Sequence, residues 1–60
     1  SMFYIIKVGA ELDKRFLTYG GDFSSWSNAR TFFGLERAEE MANKMKPLAV
    51  KVESFYGFSR

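Results

Sequence analysis

Two hydrophobic periods divide this chain. Residues 2–8, MFYIIKV, form a nearly continuous apolar run rich in β-branched and aromatic residues. A run of that length and composition predicts a central strand covered on both faces. Its side chains alternate, so Tyr4, Ile6 and Val8 share one face and Phe3, Ile5 and Lys7 share the other. Residues 9–14, GAELDK, read as a turn. Residues 15–19, RFLTY, read as a second strand antiparallel to the first, ended by Gly20, Gly21 and Asp22.

Residues 23–33 carry neither period. Ser24, Ser25, Ser27 and Asn28 favour turns because their side chains compete for backbone hydrogen bonds. Phe23, Trp26, Phe32 and Phe33 are apolar anchors spaced among them. This pattern predicts a packed loop ending in a short extended piece at residues 30–33.

From residue 35 the period becomes helical. Leu35, Ala38, Met41, Ala42 and Met45 fall at i, i+3, i+6, i+7 and i+10, a single apolar stripe. Glu36, Arg37, Glu39, Glu40, Asn43 and Lys44 take the opposite side, with Glu40 and Lys44 at a favourable i,i+4 spacing. Gly34 is an acceptable N-cap, Glu36 complements the positive end of the helix dipole, and Lys44 and Lys46 complement the negative end. Pro47 stops the helix. So short a helix is unstable alone and must dock on something. Residues 48–55, LAVKVESF, alternate again, with Leu48, Val50 and Val52 on one face and Ala49, Lys51 and Glu53 on the other.

The simplest assembly is α+β: a small antiparallel sheet in the order β-β-(short β)-α-β, with one helix packed on one face. The first strand is central, between the second and the last. Residues 2–55 form one compact domain, residues 56–60 a short tail expected to be mobile, and Ser1 reads as a remnant of tag removal. Tyr4, Ile6, Val8, Val50 and Val52 are expected under the helix. That leaves Phe3, Ile5, Leu17, Tyr19 and Phe55 for the opposite face, as an apolar patch if the loop does not wrap them. Patches of this kind mark interfaces. The expected partner-binding residues are therefore Phe3, Ile5, Leu17 and Tyr19, with Trp26 and Phe58 as further contacts. Trp26 also reads as a loop anchor closing one end of the core.

Composition sharpens this picture. Sixty residues, 47% of them hydrophobic, make a marginal core, and eleven aromatic rings are hard to bury in so small a body. There is no cysteine and no histidine. A disulfide, a thiolate metal site, the commonest metal ligand and the commonest general base are all excluded. Carboxylates at the spacing of Glu36, Glu39 and Glu40 could hold Mg²⁺, but with nothing else to supply phosphate contacts or a pocket they read as a solvated acidic first turn. Gly20 and Gly21 lack the longer glycine pattern of a phosphate loop. Ser24, Ser25 and Ser27 lack a base. No enzyme, cofactor or metal is expected.

The formal charge of +2 permits nucleic-acid binding without demanding it. Lys7, Lys14, Arg15, Arg30 and Lys51 interleaved with Phe3, Tyr19 and Phe55 are one way to hold a single strand on a sheet. The tail FYGFSR is similar to part of an RNA-binding motif, though it lies past the last strand. No apolar run is long enough to span a bilayer, and residues 2–9 lack the features of a signal peptide. The cytoplasm is the expected compartment.

The stretches YIIKV, WSNARTF, ERAEEMANKM and VKVESF together resemble a diffuse group of small phage-encoded proteins. Their outline is Y-I-I-K, a turn, a short strand, W-x-x-A-x-x-F, a helix opening E-x-A-E, and a final V-x-V strand. Here these positions are Tyr4 to Lys7; Trp26, Ala29 and Phe32; Glu36, Ala38 and Glu39; and Val50 and Val52. The outline departs at Phe32-Phe33-Gly34 and in the aromatic tail. The resemblance implies a phage protein that binds and inhibits or modulates a host protein in the bacterial cytoplasm. A nucleic-acid-binding module and a homodimer closed through the same patch are the alternatives.

Overall fold

The computed structural model describes residues 1–10 and 13–57. Four strands form one antiparallel sheet: β1 (Met2–Val8), β2 (Arg15–Leu17), β3 (Phe23–Ser24) and β4 (Val50–Tyr56), in the order β3-β2-β1-β4. A 3-10 turn (Trp26–Asn28) and one helix, α1 (Leu35–Lys44), lie between β3 and β4. This is a small α+β fold with β1 central, as its apolar run predicts.

The helix begins where the pattern places it. Gly34 is extended, with φ −135° and ψ 134°, and its carbonyl accepts the first intrahelical bond from Ala38 N–H at 3.2 Å. Beyond Lys44 the chain tightens, with Met45 N–H donating to the Ala42 carbonyl at 3.1 Å. The following Lys46–Pro47 peptide is cis. Leu48 N–H bonds back to the Met45 carbonyl at 3.0 Å, so the last strand starts at Val50 rather than at residue 48. Residues 48 and 49 are held in the turn, and Leu48 is exposed instead of facing the core. At the other end β4 continues through Tyr56, one residue into the expected tail. Gly57 then exchanges both hydrogen bonds with Ser1, at 2.9 and 3.0 Å.

Ile6, Leu17, Phe32 and Ala38 form the buried centre under the helix, with Tyr4, Phe23, Met41, Ala42, Met45, Val50 and Val52 packed around them. Ala38 is the only helix residue that is fully buried, and its small side chain lets the helix lie close to β1 and β4. No helix among the described residues is long and apolar enough to cross a membrane.

Two further expectations need correction. The third strand is residues 23–24, not 30–33. A tight turn at residues 18–22 folds Phe23 directly back beside Leu17, because Gly21 takes φ +92° and Thr18 N–H reaches the Asp22 carbonyl at 2.9 Å. The extended piece makes isolated bridges instead: Ala29 meets Thr18, and Phe32 exchanges two bonds with Tyr4 at 2.8 and 2.9 Å. The chain thereby fills the space beside β1 that the three-residue β2 leaves open.

Leu17 is also on the other face from the one expected. β1 pairs Lys7 with Phe16 and Val8 with Arg15. Phe16 therefore shares the face of Phe3, Ile5 and Lys7, and Leu17, 2% exposed, joins the core under the helix. Phe16 and Leu17 are adjacent and both apolar, so either one can serve the core, and a one-residue slip in register exchanges their faces.

Gly9 sets the turn between β1 and β2. It has φ +97°, and an added Cβ would lie 3.1 Å from the Asp13 carbonyl oxygen and 3.4 Å from the Lys14 Cα. Both neighbours are backbone and cannot swing aside. Gly9→Ala is expected to lower stability by about 1–2 kcal/mol, read as a lower urea midpoint with an unchanged m-value.

Candidate functional site: an aromatic sheet face

The face away from the helix is covered by rings. Phe3 and Phe55 are cross-strand partners, 5.5 Å apart between centroids. Phe33 meets Phe3 edge-on at 5.1 Å and 71°. Trp26 meets Phe55 at 5.1 Å and Phe16 at 5.3 Å, both edge-to-face. These contacts make one unbroken belt: Phe33, Phe3, Phe55, Trp26, Phe16. Each such pair contributes about 0.5–1.5 kcal/mol beyond its area.

Burial within the belt is layered. Phe3 and Phe16 are its buried members, with Ile5 buried on the same face, Phe55 is half-buried, and Trp26 and Phe33 are 53% and 73% exposed. The expected open patch at Phe3 and Ile5 is therefore corrected: both lie on the predicted face but offer almost no surface. Phe33 before the helix meets Phe3, and Trp26 on the 3-10 turn meets Phe16 and Phe55. Trp26 is thus both an anchor and an exposed ring.

Phe33, a loop anchor by its apolar pattern, belongs to this face as well. The signal was available, since adjacent residues in an extended segment point to opposite faces. Phe32 goes to the core beneath the helix, which sends Phe33 to the other side.

Tyr19 is exposed, but it stands apart from the belt. Its ring lies 5.7 Å from the Arg30 guanidinium, which also lies 4.6 Å over the Phe32 ring on the helix side. The Tyr19 hydroxyl shares a hydrogen bond with Thr31 Oγ1 at 3.2 Å and accepts one from Thr31 N–H at 3.4 Å. The Thr31 hydroxyl bond, then its N–H, hold the phenol below its ordinary pKa, and Arg30 adds a smaller pull. Phe58 lies outside the described residues.

The cations do not surround the rings. Lys7 forms an ion pair with Glu53. Arg15 donates to the Phe23 carbonyl at 3.1 Å, and Arg30 is held over Phe32 and Tyr19. Lys51, opposite Lys7 on the neighbouring strand, is exposed beyond the ring belt. The serine hydroxyls are engaged with their neighbours: Ser25 with Ser27 at 3.2 Å, and Asn28 Nδ2 with Ser24 and Ser25 at 3.1 and 3.3 Å. Glu36, Glu39 and Glu40 are exposed. Among the described residues, no group of three carboxylates, histidines or cysteines is placed to hold a metal ion.

Glu53 carries a testable pH dependence. The hydrogen bond from Lys7 is the largest influence and lowers its pKa, partial burial opposes it, and the charges of Lys7 and Lys14 add to the lowering. A carboxyl whose pKa is lower in the folded state stabilises above its unfolded pKa of about 4.3. That contribution is lost as pH falls through the folded value. Glu53 side chain is 40% exposed, which keeps the effect below about 1 kcal/mol. Glu53→Gln is expected to lower stability at pH 7, where the Lys7–Glu53 charge pair is lost, and to match the parent near pH 2. Urea midpoints across that range check it.

Compared with protein-family models, curated proteins and solved structures, the chain matches none.

Proposed function

We propose that this chain is a binding protein, not an enzyme, and that it inhibits or modulates a host protein by laying its aromatic sheet face on that protein's surface. One observation carries the reading: Trp26 and Phe33 stay substantially exposed on top of a buried aromatic layer. Rigid rings seated on a packed base lose little entropy on binding, and tryptophan in particular dominates interface energetics. The phage setting rests on the outline at Tyr4 to Lys7, Trp26 to Phe32 and Val50 to Val52, and it places the action in a bacterial cytoplasm.

A protein surface fits this face better than a single-stranded nucleic acid does. The rings turn edges and faces toward one another, with interplanar angles of 69–78° in the three edge-to-face pairs. Lys7 is already paired with Glu53. A stacking platform needs free ring faces with cations along the strand path.

The test is affinity capture from bacterial lysate with the tagged chain, with and without nuclease, and with Phe33→Ala alongside. A host protein retained after nuclease treatment and lost with Phe33→Ala supports the reading. Capture of nucleic acid alone, falling steeply with added salt, overturns it in favour of the nucleic-acid module.

A further inference from the structure

β4 is an edge strand. β1 covers one side, and no strand among the described residues covers the other. The pairing fixes which groups point outward. Ser1 and Gly57 exchange both hydrogen bonds, so in this register residues 51, 53 and 55 of β4 also bond to β1. Residues 50, 52, 54 and 56 then point their N–H and C=O groups away from the sheet. Val50 N–H is satisfied locally by the Leu48 carbonyl at 3.0 Å. Val52, Ser54 and Tyr56 are left with outward donors and acceptors that meet no partner among the described residues. The strand is seven residues long and carries no proline to block pairing.

Beside this edge, Glu39, Ala42 and Asn43 of α1 and Val50, Lys51 and Val52 of β4 line a shallow groove. Farther along the same edge, on the helix side of the sheet, the Tyr56 ring is 78% exposed.

We propose that two copies of this chain pair through β4, antiparallel, about a twofold axis at Ser54. In that register Ser54 meets Ser54 of the second copy, and Val52 and Tyr56 meet Tyr56 and Val52. Every outward N–H and C=O of the three residues gains a partner. Each Tyr56 ring lands beside Val52 of the other copy, where the groove lies, giving an aromatic against a β-branched residue across the strands. The neighbouring registers do less. Centring on Glu53 sets two like carboxylates directly opposite and requires the Val50 N–H that Leu48 already holds. Centring on Phe55 moves Tyr56 away from the groove and pairs Val52 with a residue past the end of β4.

Self-complementarity is what selects a second copy as the occupant. The exposed ring and the groove belong to the same edge, and the hydrogen-bond register brings each to the other. Pairing joins the two sheets into one, with both helices on one side and both aromatic faces on the other. The contact runs along the sheet edge and leaves the exposed rings Trp26 and Phe33 uncovered. Of the belt only the half-buried Phe55 lies on the paired strand, opposite Glu53 of the second copy, so the pairing stands apart from the proposed host-binding role.

Because the chain has no cysteine, Ser54→Cys tests the register directly. Paired residues at such a position have Cα atoms about 5.5 Å apart, within the range a disulfide spans. Under mild oxidation Ser54→Cys is expected to form a covalent dimer at least ~10-fold faster than Ser27→Cys, placed on the exposed 3-10 turn. Sedimentation of the unmodified chain is expected to show mass rising with concentration from 6.9 kDa toward twice that value. Ser54→Pro removes an outward N–H that β1 does not use and is expected to leave a folded monomer. Tyr56→Ala is expected to weaken the dimer by ~10-fold or more. A chain that stays monomeric at millimolar concentration overturns the proposal. So does equal cross-linking of the two cysteine variants, or a dimer that Ser54→Pro leaves intact. If the chain alone is monomeric and Ser54→Pro abolishes binding of another protein, the edge takes a foreign strand and the second copy is likewise overturned.

Discussion

Ile6→Ala is expected to leave the chain largely unfolded at 25 °C. Ile6 has no solvent exposure and sits at the centre of the cluster with Leu17, Phe32 and Ala38. Truncating a buried isoleucine costs about 2–5 kcal/mol, through lost transfer energy and the cavity left behind. A domain of this size holds only about 3–5 kcal/mol in total. The cavity is hard to close from either side. β1 is pinned by β4 along its whole length and by Phe32 at Tyr4, while the helix already contacts the sheet through an alanine. Ile6→Val, which removes one methylene, is expected to cost about 0.5–1.5 kcal/mol and remain folded. Circular dichroism with urea titration separates the two. An Ile6→Ala chain with a cooperative transition close to the parent's would show that stability resides elsewhere, with the aromatic face the first place to look.

Phe33→Ala is expected to do the reverse, sparing the fold while weakening host-protein binding by roughly 30-fold or more, the scale of a hot-spot truncation. Phe33 is 73% exposed, and its one ring contact among the described residues is the edge-on meeting with Phe3. Its loss therefore costs the fold about 0.5–1.5 kcal/mol. Trp26→Ala is expected to weaken binding comparably but to cost more stability, because Trp26 covers both Phe16 and Phe55. Titration of the captured partner against each variant, with urea midpoints measured in parallel, keeps the two effects apart. Full affinity in the Phe33→Ala chain would remove the exposed rings as the contact and leave the Tyr19–Arg30 side of the molecule to be tested.

Local rules were legible wherever one residue's neighbours in sequence are also its neighbours in space. The helix stripe from Leu35 to Met45, the stop at Pro47 and the alternation of β1 and β4 follow from backbone periodicity and capping, which act over a few residues. The central place of β1 was legible too, since only a strand covered on both faces tolerates Phe3, Ile5 and Ile6 together.

What stayed hidden depends on pairing at a distance. Residues 15–19 alternate equally well in either register, and only the bond from β2 to Lys7 and Val8 decides that Phe16 joins the aromatic layer and Leu17 the helix-side core. The turn at Gly21 decides that Phe23 rather than residues 30–33 makes the third strand. Phe33 comes to rest on Phe3 and Trp26 on Phe16 and Phe55, and the expected bare patch of Phe3 and Ile5 is a buried layer with two exposed rings beside it. The sequence by itself determined the first strand and its two faces, the helix and its stripe, the alternation of the last strand, and the absence of cysteine and histidine chemistry. Tertiary structure alone decided which rings are covered and which are offered, because face assignment in a sheet is set by hydrogen-bond register between distant strands and not by any strand's own pattern.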